Sequence, residues 1–233
     1  MTEHLTRDLQ EIKRNVLGMA GCAEEALGLA LAAYSRREEV PARRLAQAEE
    51  RIDRLQLEID DQIIKCLALH QPVASDLRFV TSAMRIVNDL ERIGDHTTSI
   101  SERLIYIVNQ EPLGEPVEIE AMMRGAAAML RDGLNSFVDQ DPDLARDVLK
   151  RDDAIDEYNR QHFVILIERM KRDPSSIEVA VSMLSISRGL ERIADLATNI
   201  AEDVVYMVDA KDIRHPGVGA RPRPMRSEDV SPD

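Results

Sequence analysis

Leu90-Glu91-Arg92-Ile93-Gly94-Asp95 returns one hundred residues later as Leu190-Glu191-Arg192-Ile193-Ala194-Asp195. The match runs on through Thr98/Thr198, Ile100/Ile200, Glu102/Glu202, Tyr106/Tyr206 and Val108/Val208, so that ten of the nineteen positions from 90 to 108 are identical. Helical patterning repeats residue classes, not identities, so the chain is internally duplicated and two similar units are expected.

Around this stretch the apolar residues fall at steps of three and four, which mark one face of an α-helix. Val80, Ala83, Val87, Leu90, Gly94, Thr97, Ser101 and Leu104 form the stripe of a third helix ending near Asn109. Upstream, Leu5, Leu9, Ile12, Val16, Met19, Ala23, Ala26, Ala30 and Tyr34 predict a first helix ending near Arg36. Leu45, Ala48, Ile52, Leu55, Ile59, Ile63 and Cys66 predict a second, which stops before His70-Gln71-Pro72. Ser75 and Asp76 are expected to cap the third helix. The breaker cluster Glu111-Pro112-Leu113-Gly114-Glu115-Pro116 is the internal boundary. Beyond it, runs of about Val117–Asp139, Pro142–Arg172 and Ser175–Lys211 answer the first three, with Ser175 and Ser176 read as caps. The expectation is an all-α chain of two tandem, similar three-helix bundles, residues 1–110 and 115–213. The Pro- and Gly-rich tail 214–233 has no apolar stripe and is expected to be disordered.

Composition agrees: 44% of the 233 residues are apolar, only 3% are aromatic and Trp is absent, which suits long helices better than sheets. A formal charge of −13 opposes nucleic acid, whose phosphates demand clustered Lys and Arg. Cys22 and Cys66 lie inside helical stripes without CxxC spacing and read as reduced, buried thiols. The residues before Arg14 have no apolar signal region, and no stretch reaches the roughly 20 apolar residues of a membrane span. A cytoplasmic location is expected.

The candidate chemistry is carboxylate. Glu91 and Asp95 lie four apart, on one face of the third helix, as do Glu49 and Asp53 on the second. Asp152/Asp156 and Glu191/Asp195 repeat the arrangement in the second half, with Asn199 continuing the last edge. Composition alone predicts about eight acid pairs at this spacing, and nine occur, so a single pair carries no information. Placement on corresponding helices of both halves does. Glu49/Asp53 and Glu91/Asp95 flank their stripes, so two packed helices are expected to bring such pairs together at the bundle surface, where hard cations take oxygen ligands. The competing reading is a solvated acidic edge with Arg51, Arg54, Arg92 or Arg192 as local partners. The five histidines form neither HExxH nor paired ExxH, and His96, whose counterpart is Leu196, is expected to be an exposed helix residue. P-loop, GxGxxG and GxSxG patterns are absent, and Met122, Met123, Met129 and Met183 read as core filling.

Gln71-Pro72-Val73-Ala74-Ser75-Asp76-Leu77-Arg78, Asp89 to His96 and Leu190 to Tyr206 together resemble the PhoU family, with likeness extending from about Leu5 to His215. The resemblance implies two bundles side by side, with carboxylate motifs that hold multinuclear metal clusters of iron, zinc, manganese or similar ions in some members. Matched here, the ligands are Glu49, Asp53, Glu91 and Asp95, and Asp152, Asp156, Glu191 and Asp195; Asn199, on the same helix edge, is counted with them as a candidate. It further implies a cytoplasmic, often homodimeric regulator without catalysis. Such a protein links the ATPase subunit of a phosphate ABC transporter to a sensor histidine kinase, reaches the membrane through partners only, and represses the phosphate-starvation response when phosphate is plentiful. Two other readings compete: a multinuclear metal-dependent phosphoester hydrolase, in which close ions clamp water and leaving group, and a metal-free helical adaptor.

Overall fold

The computed structural model describes residues 3–113 and 117–214, and every regular element among them is a helix. In order these are α1 (Glu3–Arg36), α2 (Ala42–His70), α3 (Ala74–Ile107), α4 (Ile119–Asp139), α5 (Pro142–Leu149), α6 (Asp152–Arg172) and, after a 3-10 turn at Pro174–Ser176, α7 (Ile177–Asp209). The stripes read from the sequence are the buried faces: Ile12, Val16, Met19, Ile52, Ile59, Ile63, Val80, Val87, Leu90 and Leu104 are all inside. Each such side chain contributes about 1.5–3 kcal/mol when fully withdrawn from water. Cys22, Cys66 and the four methionines named above are buried as expected, and both thiols are free. By length and composition α1 could cross a membrane, contrary to the reading of the sequence, but its apolar face is packed into the core.

Helix ends follow local chemistry. The C-caps Gln71, Gln140 and Ala210 adopt the left-handed conformation and return their N–H to Leu67, Ser136 and Tyr206, closing orphan carbonyls. Asp141 accepts from the N–H groups of Asp143 and Leu144 at 2.9 and 3.0 Å, with Pro142 at the first position of α5. Three expectations need correction here. The run Pro142–Arg172 is two helices, broken at Lys150-Arg151, where Arg151 holds Asp132 at 2.5 Å. The break puts Asp152 and Asp153 in the first turn of α6, where the helix dipole favours acids. Ser75 and Asp76 lie inside α3, which starts at Ala74 with no side-chain cap. Before α7 the capping acceptor is Asp173, which takes the Ser175 N–H at 3.1 Å and its hydroxyl at 2.6 Å, so the serines are not the caps. The tail expectation falls on residues outside those described.

α1, α2 and α3 pack together, α4, α5 and α6 gather on α7, and the halves meet chiefly along α3 and α7, with a second contact of α1 on α4. α3 and α7 run antiparallel: Tyr106 donates to Glu178 at 2.8 Å near one end, Arg85 to Asp203 at 2.7 Å further along, and Arg78 to the Met207 carbonyl at 3.1 Å at the other. Antiparallel packing of two duplicated helices relates the halves by a pseudo-twofold through the seam close to Gly94 and Ala194. One core serves both bundles.

Candidate functional site

The duplication places two acidic clusters on equivalent faces. In the first half Asp53 on α2 and Asp95 on α3 lie close enough to Glu91 for their charges to act on it, and Glu49 stands one turn before Asp53 on α2. Glu49 and Glu91 are half-buried, and Asp53 and Asp95 are exposed. Burial pushes the Glu91 carboxyl up, and the charges of Asp95 and Asp53 add to the rise. In the second half Asp152 and Asp156 on α6 meet Glu191 and Asp195 on α7. There Asp152 is pushed up to about 6, by burial first and then by Asp195 and Asp156. Glu191 rises by burial, then through Asp195 and Asp156, and Asp195 by burial, then through Asp156.

Arginine offsets these groups only in part: Arg92 acts on Glu91, Arg188 and Arg192 on Glu191 and Arg192 on Asp195, and burial with the neighbouring acids still outweighs them. Arg54 pairs with Glu50 at 3.1 Å and Arg92 approaches Asp89 at 3.7 Å, so both make their ion pairs with acids outside the clusters. Among the described residues the single ion pair to a cluster acid is Arg160 to Asp156, at 4.0 Å. One Asp152 oxygen, Oδ1, is fully buried and accepts no hydrogen bond. A buried carboxylate oxygen without a partner, beside further acids, suits a bound cation and is costly otherwise. No three carboxylate, imidazole or thiol groups among the described residues stand close enough to hold an ion as they are. In donor type and charge the acids suit a hard cation, but at the spacing seen here they do not form a ligand set.

Asn199 is placed elsewhere: it hydrogen-bonds Asp89 across the α3–α7 seam and lines a cavity of ≈ 480 Å³ with Arg85, Asp203 and Arg214. There burial pushes Asp89 up to about 6, with the charge of Asp203 adding to it. Reading the sequence for its repeat missed this cavity, because Asp89 and Asp203 correspond to Gly189 and Arg103. The signal that could have found it is the departure from the repeat. His96 is half-buried, not exposed, and burial together with Arg192 and Arg92 lowers its pKa. His162, not singled out in the sequence, is buried in the second half with Nδ1 2.9 Å from the Ser187 hydroxyl.

The family description "PhoU domain" matches twice, over residues 16–104 and 119–204, one match to each half. The phosphate-specific transport system accessory protein PhoU homolog of Pseudomonas putida is 35% identical over 224 residues, spanning 94% of this chain and 87% of its own length. The PhoU homolog 1 of Thermotoga maritima is 31% identical over 212 residues, 91% of each chain. The crystal structure of PhoU from Pseudomonas aeruginosa superposes with a TM-score of 0.84 at 30% identity, covering 88% of this chain and 99% of that one. Sequence, duplication and fold agree, and the chain belongs to the PhoU family.

Proposed function

We propose that this chain is a cytoplasmic accessory regulator of phosphate uptake that acts by binding, not by catalysis. In this reading residues 1–110 and 115–213 are its two repeat units. It connects the ATPase subunit of the phosphate ABC transporter to a sensor histidine kinase and holds the starvation response off while phosphate is plentiful. It works as a pair of identical chains and meets the membrane through its partners. The observation that carries this reading is the end-to-end match to relatives named as accessory proteins of phosphate-specific transport.

The two acidic clusters are, in the same proposal, sites for iron, zinc, manganese or a similar ion. Glu49, Asp53, Glu91 and Asp95 hold one, and Asp152, Asp156, Glu191 and Asp195 the other; Asn199, turned to Asp89 in the seam, is left out of both. The orphaned Asp152 oxygen and the mutual elevation of the acids support it. Metal there cancels the repulsion and pins α2 to α3 and α6 to α7, fixing the faces that partners read.

Deleting the gene tests the regulatory reading. A phosphate-starvation promoter is expected to become active in high phosphate and to fall silent again when the intact gene is restored. Repression that survives the deletion overturns the proposal.

A further inference from the structure

The outer faces of α2 and α6 have diverged although the helices are duplicates. Asp53 corresponds to Asp156 at an offset of 103, which sets Asp60 and Asp61 opposite Phe163 and Val164. Phe163 and Val164 are 58% and 61% exposed and border a groove of ≈ 570 Å³ between α6 and α7, together with Val181 and Leu184. Arg160 and Arg188 stand at its rim, two cations on a chain of net charge −13. An exposed apolar groove with a charged rim is the mark of a docking site. Its shape, between two antiparallel helices, suits a third helix.

The matching helix is on the same molecule. α2 presents Leu57 and Ile64, 72% and 64% exposed and seven residues apart, so that they lie on one outer face. Asp60 and Asp61 lie between them. Asp61 is shared with Lys65 of α2, and Arg160 is held by Glu157 at 2.9 Å, which leaves Arg188 as the groove's cation for an incoming acid such as Asp61.

We propose that the α6–α7 groove of one copy receives the α2 face of a second copy, with Leu57 and Ile64 against Phe163 and Val164 and Asp61 against Arg188. A twofold axis that sets the first half of each chain against the second half of the other makes the contact twice and closes the assembly. This rests on the pairing of identical chains put forward above and names its surface.

Sedimentation equilibrium of the full chain tests it, using exposed residues whose replacement leaves the core alone, with helix content followed by circular dichroism. The wild type is expected to run at twice 26.2 kDa. Phe163→Asp, Arg188→Glu and Asp61→Arg are each expected to weaken association at least about tenfold, because a desolvated like-charge or charged-apolar contact is repulsive. Mixing the Arg188→Glu chain with the Asp61→Arg chain restores attraction at both contacts, so the mixture pairs where neither variant does alone. A monomeric wild type overturns the pairing. A dimer that is indifferent to the substitutions, or a mixture that stays monomeric, overturns this surface while the promoter assay still reports on the regulatory reading.

Discussion

Asp195 on α7 raises the cost of charging Asp152 on the facing helix α6, after burial itself, and one oxygen of Asp152 is buried without a hydrogen bond. Cation binding relieves both conditions at once. Adding manganese or zinc at about a hundred times its dissociation constant is expected to stabilise the fold by roughly 2.7 kcal/mol per site, a rise in Tm of about 5–10 °C for a chain of this size. Asp152→Asn removes a like charge and a ligand. Its metal-free form is expected to melt no lower than the wild type, while its metal-induced rise shrinks and bound metal by elemental analysis falls. A variant that keeps the whole rise and the whole metal content removes Asp152 from the site.

The second half has replaced a buried apolar pair by a polar one. Ile59 and Val87, both fully buried, correspond to His162 and Ser187. Ser187 donates to Asn159 at 3.0 Å and His162 Nδ1 meets the Ser187 oxygen at 2.9 Å, which leaves Nε2 buried and unpartnered. Burial alone lowers the His162 pKa to about 4. The folded state therefore holds the neutral ring. Its stability is full above the unfolded value near 6.5 and is lost as pH falls from there toward 4, by about 3 kcal/mol. Equilibrium urea unfolding across this range checks it. His162→Ile/Ser187→Val, which restores the first-half pair, is expected to flatten the slope; an unchanged slope assigns the pH dependence to other groups.

Close approach of the helices rests on small residues. A Cβ on Gly189, in the α3–α7 seam, would lie 2.9 Å from Ile100 Cγ1, an atom tied close to the α3 backbone, whereas one on Gly94, which faces α2, would crowd the flexible Cδ1 of Ile52 at 3.1 Å and touch its Cγ2 at an ordinary 3.7 Å. Alanine already stands at the position equivalent to Gly94, in Ala194. Overpacking costs about 1–3 kcal/mol, and helix propensity returns about 1 kcal/mol to either substitution. Gly189→Ala is expected to lower stability by about 1 kcal/mol or more in urea unfolding, and Gly94→Ala to be neutral or stabilising. Equal effects would mean that the α3–α7 contact at Gly189 and the α2–α3 contact at Gly94 yield alike.

What was legible in the sequence divides along physical lines. The bounds of α1, α2 and α3 follow from stripes whose burial is nearly complete, and the four acid pairs could be singled out because duplication separates placed pairs from accidental ones. The break before Asp152 was not legible, since Ala145, Val148 and Ile155 keep helical spacing across it and no Gly or Pro marks it. Neither were the seam cavity and the His162–Ser187 pair. Asp89, Asp203 and His162 are positions where the halves differ, and a search for repetition passes over them. Asn199 looked continuous with Asp195 at spacing four, but the α3–α7 contact draws it to Asp89 instead.

Arg85 fastens the two halves through a nearly buried acid. Its Nε donates to Asp203 at 2.7 Å, Arg214 adds a longer contact to the same carboxylate at 3.7 Å, and both guanidinium groups lie over the Tyr206 ring, at 5.3 and 5.8 Å from its centre. Asp203 is only 3% exposed, and burial still pushes its carboxyl up despite the two cations. Removing the nearer cation leaves a charge in a poor solvent, so Arg85→Met is expected to cost about 3 kcal/mol or more. Removing both partners with Arg85→Met/Asp203→Leu takes away a buried charge left with only the longer Arg214 contact, as well as the bond, and is expected to cost less than the single change. The sign of that difference, read from urea unfolding of the single and double variants, distinguishes a desolvated ion pair from simple packing: losses that merely add would show that the Arg85 stem, and not its charge, joins α3 to α7.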